Sequence, residues 1–515
     1  MRENSRTSNS IKNSISSLVS NITAIIIGFV AQAIFIRILN AEYLGLNGLF
    51  TNILTMLSFF ELGIGNAIVF YMYKPLAENN REQIKTLMAF YKKTYRIIAF
   101  VVLFVGSLLL PFIKFLVNEV TVDINIYIIY CLFLLSTVTS YLMVYKRNMI
   151  YADQKNYISN MVHCLYLLVL NISQLIILYF TKNYYLYLIV KIICQLLENF
   201  IITILVDKMY PYLNEKNIYP IDNITEKNIF SKVKALVFHK IGYIIINGTD
   251  NIIISKFFGL FTVGVYSNYY LVTNAVYTMF SQVIGSLTAS VGNLLISQDK
   301  EKSFVIFKKV RFINFIISCF CATSVLNLMQ PFIKIWVGEQ YLLSYSVLCV
   351  IVFNLFQKLQ RCSYNTFKDS AGIWEDDKHI PIIESCLNIM FSVICLKIFG
   401  LAGVFIGTII SGIALWGYSY PKFVYNRIFN RNYKNYCKET LGYVLLFLVI
   451  AIISGSIISF VEVNNLLLQL VINLLINTII NLLMVYIVFR KTGNYKYFKS
   501  LFSKVCSKFL YRKIW

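Results

Sequence analysis

The apolar positions of this chain fall in long runs, with no sustained alternation. From Ile15 almost to the C-terminus, hydrophobic stretches of around 20 residues recur between short polar segments. A hydrocarbon core roughly 30 Å thick takes about that many helical residues to cross, so each run predicts a membrane-spanning helix. Fourteen are expected, at 15–39, 46–72, 95–114, 123–145, 157–180, 184–206, 235–256, 263–296, 306–330, 341–360, 383–399, 402–421, 440–460 and 466–489. The polar segment "MRENSRTSNSIKNS" precedes the first run and no small-residue cleavage site is evident, so that run is expected to remain as a helix. The predicted fold class is an all-α polytopic membrane protein.

Composition agrees. Hydrophobic residues make up 58% of the 515, charged residues 14%, and mean hydropathy is +0.67, whereas soluble domains carry roughly a quarter charged residues. A net charge of +23 raises the question of nucleic acid, but the placement of the charges points elsewhere. Of 47 Lys and Arg, 40 lie in or beside the segments on the N-terminal side of the expected membrane; the other seven are Arg37, Lys114, Lys182, Lys191, Lys256, Lys334 and Lys397. That asymmetry predicts cytoplasmic termini, with the surplus facing anionic lipid headgroups and no nucleic-acid partner. The eleven cysteines are scattered through apolar runs without a CxxC pair, which indicates neither a disulfide framework nor a zinc site.

The chain also repeats itself. Pro111-Phe112-Ile113-Lys114 recurs as Pro331-Phe332-Ile333-Lys334, a separation of 220. Arg37 and Gly45 of "RILNAEYLG" align with Lys256 and Gly264 of "KFFGLFTVG" at 219, Lys92-Lys93 with Lys308-Lys309 at 216, and Asp153 with Asp376 at 223. These separations define a duplication of six spans. Six being even, both copies enter the membrane from the same side, which predicts two lobes in parallel repeat around a central cavity, with a substrate site between the halves. The expected organisation is an N-terminal lobe at 1–206, a cytoplasmic linker at 207–234, a C-terminal lobe at 235–421, two appended helices within 440–489 and a basic tail at 490–515. PFIK itself reads as an architectural marker, Pro ending a span and Lys reaching headgroup level.

Three stretches carry a resemblance: "FIRILNAEYLGLNGLFTNILTMLSFFELGIGNAIVFYMYKPLAE", the amphipathic "REQIKTLMAFYKKTYR" that follows, and "GTDNIIISKFFGLFTVGVYSNYYLVTNAV". They resemble the polysaccharide transporter family, flippases for lipid-linked capsule or O-antigen repeat units within the multidrug/oligosaccharidyl-lipid/polysaccharide exporter superfamily. The resemblance covers essentially the whole chain. It implies a bacterial plasma-membrane protein that moves an undecaprenyl-pyrophosphate-linked oligosaccharide from the inner to the outer leaflet by alternating access. Its implied partners are that substrate, membrane lipids, a polysaccharide polymerase and glycosyltransferases; no cofactor is implied. A peptidoglycan-precursor flippase and a multidrug or cation exporter of the same superfamily remain as alternatives.

Charged and polar residues inside the spans are the candidates for a substrate path, because an intramembrane charge is costly and normally faces a bundle interior or a wet cavity. Lys191, Gln195 and Glu198 share one helical face of span 6. They read either as a Lys-to-Glu pair bridged by Gln or as a polar wall of the path. Glu61, with Ser58 and Gly65 on its face of span 2, reads as a proton carrier or as a paired anion. Asn247 and Asp250 share a face of span 7. Arg37 and Lys256 hold equivalent repeat positions at the outer ends of spans 1 and 7, where they would receive a pyrophosphate or snorkel to the interface. Span 8 carries a stripe of Asn274, Thr278, Ser281, Gly285 and Thr288, and span 14 one of Asn473, Asn477 and Asn481. Such stripes suit either sugar hydroxyls or helix association, the latter preferred for span 14. His163 and His239 read as structural or interfacial, a proton relay being the alternative, and His379 belongs to the polar inner loop "WEDDKH".

No Gly-x4-Gly-Lys-Ser/Thr, Gly-x-Ser-x-Gly or HExxH segment occurs. The Asp376-Asp377 doublet alone is weak support for a metal-dependent glycosyltransferase, and every expected outer connection is short. No catalytic or metal residues are therefore expected, and a membrane polymerase or glycosyltransferase is disfavoured.

Overall fold

The computed structural model describes residues 2–61, 64–117, 124–215, 219–373, 376–461, 463–500 and 503. The described elements are helical. They run α1 (Arg2–Ile38), α2 (Ala41–Leu57), a 3-10 turn (Ser58–Glu61), α3 (Ile64–Glu78), α4 (Arg81–Leu108), α5 (Ile113–Leu116), α6 (Ile126–Leu142), α7 (Val144–Ala152), α8 (Asn156–Thr181) and α9 (Tyr184–Met209). There follow α10 (Asn223–Gly285), α11 (Thr288–Ser297), α12 (Lys300–Trp336), α13 (Tyr345–Ser370), α14 (Ile380–Phe399), α15 (Leu401–Ser411), a π-helical stretch (Ala414–Ile428), α16 (Tyr433–Ser459) and α17 (Leu466–Phe489).

Apolar runs propagate these helices and asparagines start them. The side chains of Asn40, Asn80, Asn125, Asn183, Asn432 and Asn465 each accept a hydrogen bond from a backbone N–H in the first turn of the following helix. Such a cap satisfies donors that the helix itself leaves open. Gly259 interrupts α10 at φ 80°, ψ 171°, a conformation that glycine adopts freely and that strains a residue with a Cβ.

Among the described residues, ten helices are long and apolar enough to cross a membrane, or eleven if the pair α6 and α7, bent by 44°, counts as one. Counted as eleven, the structure falls three short of the fourteen expected spans, at span 2, at spans 7 and 8 taken together, and at span 10. Span 2 is broken at Ser58–Glu61 between α2 and α3. Spans 7 and 8 run on as one apolar stretch by length and hydropathy, but the non-helical backbone at Gly259 parts them, between the expected 235–256 and 263–296. Span 10 corresponds to α13, whose length is ample but whose buried face carries Asn354, Gln357, Gln360 and Lys368.

The chain forms two compact units, Met1–Ser267 and Asn268–Trp515. That division falls within α10, whereas the linker read from the sequence lies at 207–234. In the first unit α1 packs on α8, α8 on α9, and α6 on both α4 and α9, while α3 packs on α4 and α7. In the second, α12 is held by α13, α16 and α17, and α14 and α15 form a hairpin. An aromatic core of Phe304, Phe307, Tyr364, Phe367, Tyr420, Tyr425 and Phe429 fills one end of that unit. At its edge Arg311, 2% exposed, is held by Tyr425, by Glu439 at 2.5 Å and by Thr440 at 2.9 Å. Outward-facing Leu, Ile and Phe, such as Phe180, Ile398 and Leu482, remain exposed, as expected of a chain whose solvent is lipid.

Candidate functional site

The face predicted on α9 exists, and the structure assigns it partners that the sequence did not pair. Lys191 lies over the Phe133 ring of α6 at 5.2 Å. Gln195 accepts a hydrogen bond from Ser136 Oγ at 2.8 Å. Glu198, 5% exposed, is bound by Arg147 at 2.8 Å, with His163 Nδ1 2.9 Å from the same carboxylate oxygen. The cation of Glu198 thus comes from α7 and not from Lys191, one to two turns away on its own helix. The bend at Met143 brings this about: by turning α7 back onto α9 it also delivers Lys146 to Asp207.

The next residue of α7 reaches a second carboxylate. Asn148 donates to Tyr91 Oη at 2.5 Å, the Tyr91 and Tyr95 rings lie 5.0 Å apart, and Tyr95 donates to Glu61 Oε1 at 2.7 Å. Gly65 belongs to this cluster, since a Cβ there would stand 3.0 Å from Tyr91 Oη and 3.1 Å from Tyr95 Oη. Ser58 does not join it; its hydroxyl turns back to the Thr55 carbonyl. Glu61 therefore sits at the break in span 2, where the 3-10 turn replaces the continuous helix that the predicted shared face assumed.

Two carboxylates far apart in sequence, Glu61 and Glu198, are thereby joined through Arg147 and Asn148, consecutive residues of one short helix. Chemically the arrangement holds buried Glu198 against one guanidinium and half-buried Glu61 against the Tyr95 hydroxyl. Such a set can keep a polar wall inside a membrane bundle. Arg147, Tyr91 and Tyr95 escaped the sequence reading. Arg147 sits in "VYKRNMIYA", where the charge count placed it in a loop, although that segment lacks any helix breaker.

Elsewhere in the first unit, Arg37 is exposed in the last turn of α1. Lys256 lies 3.9 Å from the centroid of the Phe115 ring. Asp250 is half-buried on α10, while the side chains of Asn247, His239 and Lys240 lie outside the described residues. Here α10 crosses α2 at backbone contact. A Cβ on Gly45 would lie 2.0 Å from the Leu260 carbonyl oxygen.

In the second unit the Asn274 stripe is accessible along α10. Asn274 is exposed, Thr278 and Ser281 are half-buried, and Ser281 donates to the Thr278 carbonyl at 3.0 Å, keeping its hydroxyl within the helix. The span 14 stripe is a helix-association ladder: Asn473, Asn477 and Asn481 of α17 hydrogen-bond to Asn327, Ser324 and Thr323 of α12. Asn327 in turn donates to Ser454 of α16. Asp376 and Asp377 are tied to Arg427 and to Lys368 with Ser419, which leaves the doublet occupied as a brace between α13 and the π-helical stretch.

Comparison with known proteins bears on the fold. The structure matches the lipid II flippase MurJ in its inward closed conformation at a TM-score of 0.65 and 14% identity, over 93% of this chain and 99% of that one. The chain has the MurJ fold. An inward-facing MATE-family multidrug-resistance transporter of the MOP superfamily matches at 0.61 and 14% identity, over 80% of this chain and 98% of its own. The Vibrio cholerae MATE transporter VcmN, solved as a mutant, matches at 0.55 and 13% identity, over 81% and 97%. In sequence, an uncharacterised membrane protein of Methanocaldococcus jannaschii, MJ1068, is 23% identical over 452 residues, covering 82% of this chain and 85% of that protein. No family model matches the chain. The Glu61–Glu198 cluster thus belongs to a helical bundle whose solved neighbours are transporters and flippases.

Proposed function

We propose that the chain is a flippase that moves a polyprenyl-pyrophosphate-linked oligosaccharide from the inner to the outer leaflet of the bacterial plasma membrane, both termini being cytoplasmic. The observation that carries this reading is the extent of the MurJ likeness, 93% of this chain against 80% for the MATE transporter. A flippase scaffold accounts for more of the molecule than a drug-exporter scaffold does. The oligosaccharide, as opposed to the lipid II of MurJ, rests on the sequence resemblance to polysaccharide transporters.

In this reading the two six-span repeats rock about a polar cavity while the polyprenyl tail stays in lipid. Arg37 and Lys256 receive the pyrophosphate, and Asn274, Thr278 and Ser281 face sugar hydroxyls. Lys191, Gln195, Glu198, Asn247, Asp250 and Glu61 line or brace the passage. Glycosyltransferases supply the substrate and a polymerase consumes it.

The test is deletion of the gene followed by leaflet-resolved analysis of lipid-linked intermediates. Completed repeat units accumulating on the cytoplasmic leaflet support the reading. Accumulating peptidoglycan precursor assigns the chain MurJ's own substrate instead, and shortened glycans assign it to glycan assembly.

A further inference from the structure

One face of α4 changes character along its length. Ala89, Lys92, Lys93, Arg96, Ile97 and Phe100 line an open groove of about 440 Å³. Below it the same face continues as Phe104 and Leu108; with Ile97 and Phe100 these form an exposed apolar stripe at helical spacing. The apolar span to which α4 belongs, Arg81–Leu116, has 36 residues, about 54 Å of helix, whereas the hydrocarbon core takes roughly 30 Å. The stretch from Ile97 to Leu116 is long enough to fill that core. Arg81 to Arg96 then projects beyond it, with Lys92, Lys93 and Arg96 at headgroup depth.

The three cations are exposed, and among the described residues no carboxylate lies within ion-pair distance of them. Lys92 Nζ stands 5.9 Å from the Tyr145 ring centroid, adding an aromatic wall. The second repeat shows what such a face does when the chain itself covers it. At the equivalent positions Lys309 lies over the Tyr497 ring at 4.5 Å. Phe312, aligned with Arg96, is 1% exposed and packs on Phe489 at 4.9 Å. There α17 and the segment after it take the place that remains open on α4.

We propose that the α4 groove is a binding site for one anionic phospholipid, its phosphate held by Lys92, Lys93 and Arg96 and its acyl chains lying along Ile97, Phe100 and Phe104. Charge complementarity selects an anionic headgroup over a zwitterionic one, and the adjoining apolar stripe selects a lipid over a soluble anion. The groove shares α4 with Tyr91 and Tyr95 but uses none of the residues of the proposed substrate path.

The test uses the full-length protein in nanodiscs of equal parts phosphatidylglycerol and phosphatidylcholine, with retained lipid counted by native mass spectrometry after release into detergent. Wild type is expected to retain phosphatidylglycerol preferentially. The triple variant Lys92→Gln, Lys93→Gln, Arg96→Gln should reduce that preference about 100-fold, each surface cation contributing roughly equally. A control triple in the exposed tail, Lys491→Gln, Lys496→Gln and Lys499→Gln, should leave it unchanged. All six side chains are exposed, so both variants are expected to fold, and matching melting midpoints verify it. Equal retention of the two lipids by wild type, or undiminished phosphatidylglycerol retention by the α4 triple, overturns the proposal.

Discussion

Gly45 and Gly264 make the same contact from opposite sides. A Cβ on Gly45 would meet the Leu260 carbonyl oxygen at 2.0 Å, and one on Gly264 would meet the Ala41 carbonyl oxygen at 1.8 Å. Ala41 and Leu260 are themselves separated by 219 positions, as Gly45 and Gly264 are. The two segments, 219 positions apart, thus approach each other reciprocally, each glycine lying against a backbone carbonyl of the other segment. The crossing admits no side chain at either position. Gly45→Ala or Gly264→Ala should therefore destabilise the protein by about 1–3 kcal/mol, overpacking outweighing the gain in helix propensity. Gly442→Ala is the control: it lies inside α16 with nothing within 4 Å of its added Cβ, and its melting midpoint should hold or rise.

The breaks before this crossing are also paired. Asn40 adopts φ 101°, ψ 177° and Gly259 φ 80°, ψ 171°, again 219 positions apart. A residue with a Cβ in this region carries about 1–3 kcal/mol of strain. At position 40 the Asn side chain offsets part of that strain by capping Glu42 and Tyr43. Asn40→Ala loses the cap and keeps the strain, so a destabilisation of about 1 kcal/mol or more is expected. Gly259→Asn should be tolerated better than Gly259→Val, because the first copy already holds Asn at this conformation. Thermal melts of the four proteins, wild type included, measure both contrasts.

Much of this was legible in the residues. Apolar run length yields the helices, and the repeated RILNAEYLG and KFFGLFTVG segments locate the paired glycines, because a sequence separation survives folding unchanged. What stayed hidden is where helices bend. Glu61 reads as mid-span because "MLSFFELGIG" is apolar enough to continue, yet the helix breaks there and the carboxylate turns to Tyr95. Arg147 reads as a loop charge, yet the bend at Met143 carries it inward to Glu198. The polar face of α13 was written in the sequence as Asn354, Gln357, Gln360 and Arg361; inside a hydrophobic window it passes for a span until its partners Phe405, Ile409, Ser318 and Glu384 are seen.

The Arg147–Glu198 pair is expected to behave as a buried pair behaves. Removing the guanidinium by Arg147→Ala leaves the buried Glu198 carboxylate with half-exposed His163 as its remaining ion-pair partner among the described residues, and should cost about 3 kcal/mol or more. Glu198→Gln on the same background removes the stranded charge and should recover part of that loss. A double-mutant cycle on unfolding free energy reads the coupling directly. Additive single effects would show that the two side chains stabilise the bundle independently.

Arg37 and Lys256 each stand three residues before one of the paired breaks, so the repeat places one cation beside each. If they receive the pyrophosphate, their contribution appears in transport and not in folding. Each charge-assisted hydrogen bond to a phosphate is worth about 1.5–3 kcal/mol, so the double variant Arg37→Gln, Lys256→Gln should slow translocation tenfold or more in a leaflet-resolved flipping assay. Lys256 also rests on Phe115, and losing that contact alone would lower the melting midpoint without a matched fall in transport. Phe115→Leu separates the two effects, since it removes the ring while keeping the charge. Transport at the wild-type rate by a normally inserted double variant would assign both cations to the membrane interface and place headgroup recognition on other residues.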